Sequence, residues 1–274
     1  MKNLQDIYEG ILDDDFVTNK SVDNRVAMDL ITTWINENYY GRGAEEIKIL
    51  KKPNKDGKYV VNITHRGTIL VLRPEAESLT NDRFVWGRVD CDFIIQNNSN
   101  ITNLQGCPEI LGQKLDVLKC KNLTSLEGMP QEVFAFSCND CPKLASLKGC
   151  SPNISEINLS NCNISSLEGL PKTCRVIDIK KCPNIRTLEG ISKPTESLWC
   201  RECESLESLK GSPSKLLSFV CRNNPKLTSI KFAPSASRYF ECKNCGRQFT
   251  YDEVLKISPE LEQYQGDSIR GIHV

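Results

Sequence analysis

From Phe93 to Phe249 the apolar positions recur on a grid. The segment Ile157-Asn-Leu159-Ser-Asn-Cys162-Asn-Ile164-Ser-Ser-Leu167-Glu-Gly169-Leu-Pro171 shows one unit. Aligned on its Cys, the grid passes through Asn98, Cys120, Cys141, Cys162, Cys182, Cys203, Asn224 and Cys245, at spacings of 20 to 22 residues. With that column numbered nine, position four holds Phe93, Leu115, Phe136, Ile157, Ile177, Leu198, Phe219 and Phe240. Position six holds Ile95, Val117, Cys138, Leu159, Ile179, Cys200, Cys221 and Cys242. Alternation at four and six predicts a strand with one buried face. A leucine pair and then Leu-x-Gly-x-Pro fill the return, too short for an ordinary helix. A fixed period of this length is the mark of a solenoid.

Upstream the period differs. Leu4, Ile7, Tyr8, Ile11 and Leu12 follow one helical face, and Val22, Val26, Ala27, Leu30, Ile31, Trp34 and Ile35 follow another, with Ser21 as N-cap and Gly41 and Gly43 as the stop. Ile47–Leu50, Tyr59–Ile63 and Thr68–Leu72 are β-branched runs, and His65-Arg66-Gly67 between the last two predicts a β-hairpin. The expected organisation is a small α+β capping domain over 1–88, with two helices and a hairpin, then a solenoid of about eight coils over 89–249. A short cap helix from Tyr251 and a tail complete it at 250–274. A terminal repeat without a neighbour exposes its apolar edge, so covers at both ends are required.

The grid resembles the leucine-rich repeat, L-x-x-L-x-L-x-x-N/C-x-L, in its short form. That resemblance implies parallel strands on a concave face, a mostly extended or turn-like convex side and little helix. It also implies that position nine satisfies backbone groups of neighbouring coils. Eight strands at about 4.8 Å give a face on the order of 35 Å long. The wording Asn-Leu-Thr-Ser-Leu-Glu-Gly-Met-Pro over 122–130, Val89-Asp-Cys-Asp-Phe-Ile before the first coil, and Leu4–Leu12 resemble repeat proteins of tailed phages. This implies a phage protein in the cytoplasm of a bacterial host, with no settled activity to carry over.

Lys+Arg and Asp+Glu are both 35, so no bulk charge directs the chain to nucleic acid or membrane. The start, Met-Lys-Asn-Leu-Gln-Asp, is polar, and no run approaches the roughly 20 apolar residues of a membrane span. A soluble, cytoplasmic protein is expected. The fourteen Cys fall mostly on the grid, as small buried hydrophobes do, and reduced thiols are expected.

Cys242-Lys-Asn-Cys245 reads like half a zinc ribbon, with Cys221 as a further ligand. Yet the pair occupies positions six and nine of the grid, other coils put Leu159 or Ile179 where this one puts Cys242, and the ligand set is incomplete. No metal and no cofactor are therefore assigned. Asp13-Asp14-Asp15 reads as a solvated turn. His65 and His273 stand apart from any nucleophile pattern, so no catalytic residue is assigned and no enzyme is expected.

The outward positions carry the functional reading. Position five runs Ile94, Asp116, Ser137, Asn158, Asp178, Trp199, Val220, Glu241; position seven runs Gln96, Leu118, Asn139, Ser160, Lys180, Arg201, Arg222, Lys243. Like charges about 5 Å apart repel unless acids offset them or a ligand uses them. Trp and Arg are enriched at interface hot spots. Lys180, Trp199, Arg201, Arg222, Tyr239 and Lys243 are the candidate partner-binding residues, for a protein with an acidic patch. Two other readings remain open: a structural part of a virion or phage assembly, and nucleic-acid binding through the basic ladder, against which the neutral net charge argues.

Overall fold

The computed structural model describes residues 19–41, 47–50, 52–64, 69–191, 195–266 and 272–273. The expected helix over 4–12, the aspartate run, Gly43 and the turn at His65 lie outside them, as does the side chain of His273. The protein is mostly parallel β-sheet wound into a solenoid of about 10 turns, with little helix.

Helix α1 (Asn19–Asn38) leads directly into β1 (Tyr39–Tyr40). It buries Met28, Ile31 and Ile35, while Val26 and Leu30 are exposed. The buried stripe is therefore rotated from the one the sequence suggests. The cause is aromatic: Trp34 packs edge-on to Phe84 at 5.5 Å and lies 6.2 Å from Tyr39, fixing the roll of the helix. Because α1 begins at Asn19, Ser21 is inside its first turn and not its cap.

The hairpin expected between Tyr59–Ile63 and Thr68–Leu72 does not form. β3 (Tyr59–Ile63) pairs antiparallel with β2 (Ile47–Ile49) and parallel with β5 (Phe84–Val89). β4 (Ile69–Leu72) pairs antiparallel with β1 and parallel with β6 (Asp92–Gln96). In that register Leu70 and Leu72 stand beside Phe93 and Ile95, all buried, so β4 has the inward pair of a solenoid strand. The run at 69–72 matches the solenoid better than it matches its neighbour in sequence.

After β6 the stack continues through β7 (Ile110–Leu118), β8 (Glu132–Asn139), β9 (Asn153–Ser160), β10 (Val176–Lys180), β11 (Ser197–Arg201), β12 (Lys215–Arg222) and β13 (Ser235–Lys243). All of these neighbours are parallel. It ends at β14 (Gln263–Gly266), parallel to β13, and β15 (Ile272–His273), antiparallel to β14. The parallel stack thus starts before residue 89 and runs into the expected tail. Leu261 and Tyr264 are buried there, and the Tyr264 hydroxyl donates to Phe249 O at 2.9 Å. Helix α2 (Tyr251–Leu255) starts at a capping box, with Thr250 and Glu253 each accepting from the other's backbone N–H.

Two columns hold successive coils in register, and a third shapes the return within each coil. The residues before column nine (Asn97, Lys119, Asp140, Asn161, Lys181, Glu202, Asn223 and Asn244) all have φ between 50° and 57°. From Asn97 to Asn223, each of these donates its N–H to the position-seven carbonyl of the following coil, at 2.8 to 3.0 Å. Column nine then turns inward. Cys162 Sγ lies 3.5 Å from Cys138 O in the preceding coil and 3.5 Å from its own Ser160 O. Cys120, Cys141, Cys182, Cys203 and Cys245 repeat both contacts. Asn224 does the work with an amide: Nδ2 donates to Cys200 O at 3.0 Å and Oδ1 accepts from Cys203 N at 2.9 Å. A buried carbonyl is costly unless paired, which explains why this column takes a small side chain with a donor.

The third column lies on the return. Asn103, Ser125, Ser146, Ser166, Thr187, Ser208 and Ser229 each accept the N–H two residues ahead. These side chains close the bend before the glycine row. At Gly190 φ is 104°, and a Cβ would meet Glu168 N at 2.3 Å, so coils approach there closely enough to exclude any side chain.

Candidate interaction surface

Positions four, six and nine are consumed by the interior, so the sheet offers solvent only its odd rows, three, five and seven. These rows are longer than the sequence suggests. Register places Tyr40, Ile69 and Val71 ahead of Ile94, and Gln265 after Glu241. The signal for the first addition was present: Leu70-Val-Leu72 fits positions four to six, but without Cys or Asn at nine the grid stops short.

The two ends of this face differ in chemistry. At the N-terminal end Tyr40 and Ile69 are exposed, Ile94 and Leu118 half-buried. Arg73 stacks 5.5 Å over the Tyr40 ring, and the Tyr40 hydroxyl accepts from Gln96 Nε2 at 2.9 Å. The C-terminal end gathers the candidate residues. Asp178, Trp199, Val220 and Glu241 are consecutive register partners, as are Lys180, Arg201, Arg222 and Lys243. Tyr239 aligns with Ser218 in row three and reaches Glu241.

The basic ladder is largely offset from within. Arg201 grips Asp178 with both Nε and Nη2, and Asp178 is almost fully buried. Burial pushes the Asp178 carboxyl above its ordinary range, although Arg201, Lys180 and Arg222 pull the other way. Lys180 and Lys181 share Glu202 at 3.4 and 3.5 Å. Arg222 Nη1 lies 3.7 Å from Glu241 Oε1. Glu241 Oε2 accepts from the Tyr239 hydroxyl at 2.9 Å, and burial together with this bond pushes the tyrosine up to about 12. Lys243 has no ion pair among the described residues. Across rows three, five, seven and eight of these four coils, five cations face three carboxylates: Lys180, Lys181, Arg201, Arg222 and Lys243 against Asp178, Glu202 and Glu241. The patch keeps a net positive charge.

Trp199 is half-buried, with the Arg201 guanidinium 5.8 Å over its ring. Its indole N–H is shielded and has no hydrogen-bond partner, and Arg222 Nε on the adjacent strand is in the same condition. A shielded donor without a partner costs about 1–3 kcal/mol. Two of them on neighbouring coils single out this part of the face.

Cys242 and Cys245 lie with sulfurs 3.8 Å apart, and Cys245 also donates to Cys221 O at 3.5 Å. Cys221 Sγ instead receives the Asn224 amide at 3.0 Å. Among the described residues no three His, Cys, Asp or Glu side chains are grouped so as to hold a metal ion. All fourteen Cys are free thiols, eleven of them buried, and burial pushes Cys182 up to about 12 and Cys203 up to about 11.

Comparison with known protein families, with curated proteins and with solved structures finds no match. No helix among the described residues is long and apolar enough to cross a membrane.

Proposed function

We propose that the protein is a leucine-rich-repeat interaction module without catalytic activity. In this reading the elements before the stack serve as its N-terminal cap, and the C-terminal half of the outward sheet face binds another protein. Hydrogen bonding from column nine to preceding coils supports the repeat assignment. The aromatic packing of α1 against Phe84 supports the capping role. The observation that carries the function is the pair of unpartnered donors, Trp199 Nε1 and Arg222 Nε, within a patch of net positive charge. A partner presenting carboxylates beside an apolar contact for the half-buried indole complements Lys243 and the exposed part of the Arg222 guanidinium, and satisfies the two shielded donors once those side chains turn outward on binding. In the phage reading, the partner is a host or defence protein of the bacterial cytoplasm. A rigid sheet lowers the ordering cost of such binding.

The test is capture from infected bacterial cells with the wild-type protein and with a Trp199→Ala/Arg222→Ala double variant, followed by reassembly from purified components. Loss of at least tenfold in affinity is expected, since each hot-spot truncation typically costs above about 1 kcal/mol. Equal affinity of the two proteins for the reassembled partner overturns the assignment of this patch.

A further inference from the structure

Three Cys-x-x-Cys pairs occupy positions six and nine: Cys138/Cys141, Cys200/Cys203 and Cys242/Cys245. In the first two both thiols are buried; in the third Cys245 is half-exposed. Its sulfur sits 3.8 Å from Cys242 Sγ. Cys107 and Cys150, the other half-exposed cysteines, have no thiol within hydrogen-bonding distance among the described residues. Cys138 and Cys162 match the 3.8 Å separation but lie in the core of adjacent coils, closed to any reagent. Only the last pair combines proximity with access.

We propose that Cys242 and Cys245 form a dithiol modification site, oxidised to an intramolecular disulfide by low-molecular-weight disulfides of the glutathione type. Cys245 attacks as the thiolate. Hydrogen bonds from the Cys221 and Cys242 thiols hold it below the ordinary thiol range, so it ionises first. Its sulfur bonds to one sulfur of the oxidant, whose S–S bond breaks and releases one glutathione thiolate. Cys242, deprotonated in turn, attacks the Cys245 sulfur and expels the second glutathione thiolate. Two S–H bonds are lost and one S–S bond gained. Both electrons and both protons end on the two glutathione thiols.

Closure draws the sulfurs from 3.8 Å to about 2.05 Å. Cys245 then no longer donates to Cys221 O, the contact that ties the last coil to β12 in column nine, nor to Lys243 O of its own coil. Oxidation therefore loosens the last coil joint, directly beside Lys243. This conclusion stands apart from the identity of any partner.

Full-length native protein is equilibrated in glutathione buffers of graded redox poise, quenched by acid and alkylation, and mapped by peptide mass spectrometry. One disulfide, Cys242–Cys245, is expected to appear first, with half-exposed Cys107 and Cys150 alkylated in the native protein and the ten other buried cysteines only after denaturation. Cys245→Ser, which keeps a donor in column nine, is expected to abolish it, and Cys203→Ser to leave it intact. Amide exchange in β13 is expected to quicken at least tenfold on oxidation. A first disulfide elsewhere, or none at any poise that leaves the protein folded, overturns the proposal. Unchanged exchange in β13 overturns the coupling to the coil joint.

Discussion

Around β6 the interior is a cluster of rings: Trp34, Tyr39, Phe84, Trp86 and Phe93 meet with centroids 5.3 to 6.3 Å apart. From β11 to β13 the inward columns hold Cys200, Cys221 and Cys242 at position six and Cys203, Asn224 and Cys245 at nine, beside a smaller ring stack of Phe219, Phe240 and Tyr264. The faces above them differ as well. Over the aromatic end, Tyr40 and Ile69 expose apolar surface; over the thiol end lie ion pairs and Trp199. Large rings bring area and geometric lock, which suits an end where α1, β1 and β3–β5 converge at odd angles. Thiols bring little area but one donor each, which suits coils that repeat identically and have a carbonyl to satisfy.

The contrast predicts a steep gradient of sensitivity. Trp86→Ala removes a buried ring whose Nε1 donates to Leu79 O at 2.9 Å. It is expected to cost about 3–5 kcal/mol in denaturant unfolding, more than any single cysteine in column six. If Cys221→Ala costs as much, the contrast between ring-filled and thiol-filled columns fails. Gly190→Ala, at φ 104° and with Glu168 N in the way, is expected to cost on the order of 2–3 kcal/mol and to loosen only the coils beside it, as read by amide exchange.

Column nine gives a finer test. Asn224→Ala strands Cys203 N and Cys200 O, an expected loss of about 2 kcal/mol. Asn224→Cys is expected to recover about half, because every other coil from Cys120 onward uses a thiol there. Equal loss for both variants means that side-chain volume, and not the donor, is what the column requires.

The smallest effect belongs to the C-terminal edge. Arg247 and the Thr250 N–H hold Glu253 down to about 2, below its ordinary 4.5. A depressed carboxylate contributes above its unfolded value and loses that contribution as pH falls through the folded one. Amides of 251–255 are therefore expected to lose exchange protection between pH 4.5 and 2, while those of β8–β10 keep theirs. Asp178 works in the opposite direction. Its raised value means that ionisation opposes folding, so its contribution declines as pH rises past the ordinary carboxylate range.

Most of the solenoid was legible because each coil must solve the same problem with the same columns. Positions four, six and nine are buried in every expected coil except for half-exposed Cys245. What escaped were segments that solve it with different residues. β4 supplies Leu70 and Leu72 without a column-nine donor, since Asn98 reaches back to Arg73 O and Ala76 O instead. β14 supplies a single buried Tyr264. The same limit applied to the surface. Sequence placed Lys180, Arg201, Arg222 and Lys243 in one row, but not the degree to which Asp178, Glu202 and Glu241 offset them. The left-handed column left only a partial mark in residue type, since Lys119, Lys181 and Glu202 share φ near 55° with four asparagines and Asp140, and the unpaired indole N–H left none.

That left-handed corner has a consequence for how such a chain can change. Each coil from Asn97 to Asn223 leaves its strand through a corner of the same shape, bonded to its successor by the same N–H. The stretch 162–181 therefore begins and ends at equivalent places, between Asn161 and Cys182. Its excision or duplication rejoins one corner to another and interrupts no column. The molecule can lengthen or shorten by whole coils through recombination, carrying its outward face to new spans while each remaining joint stays as it was.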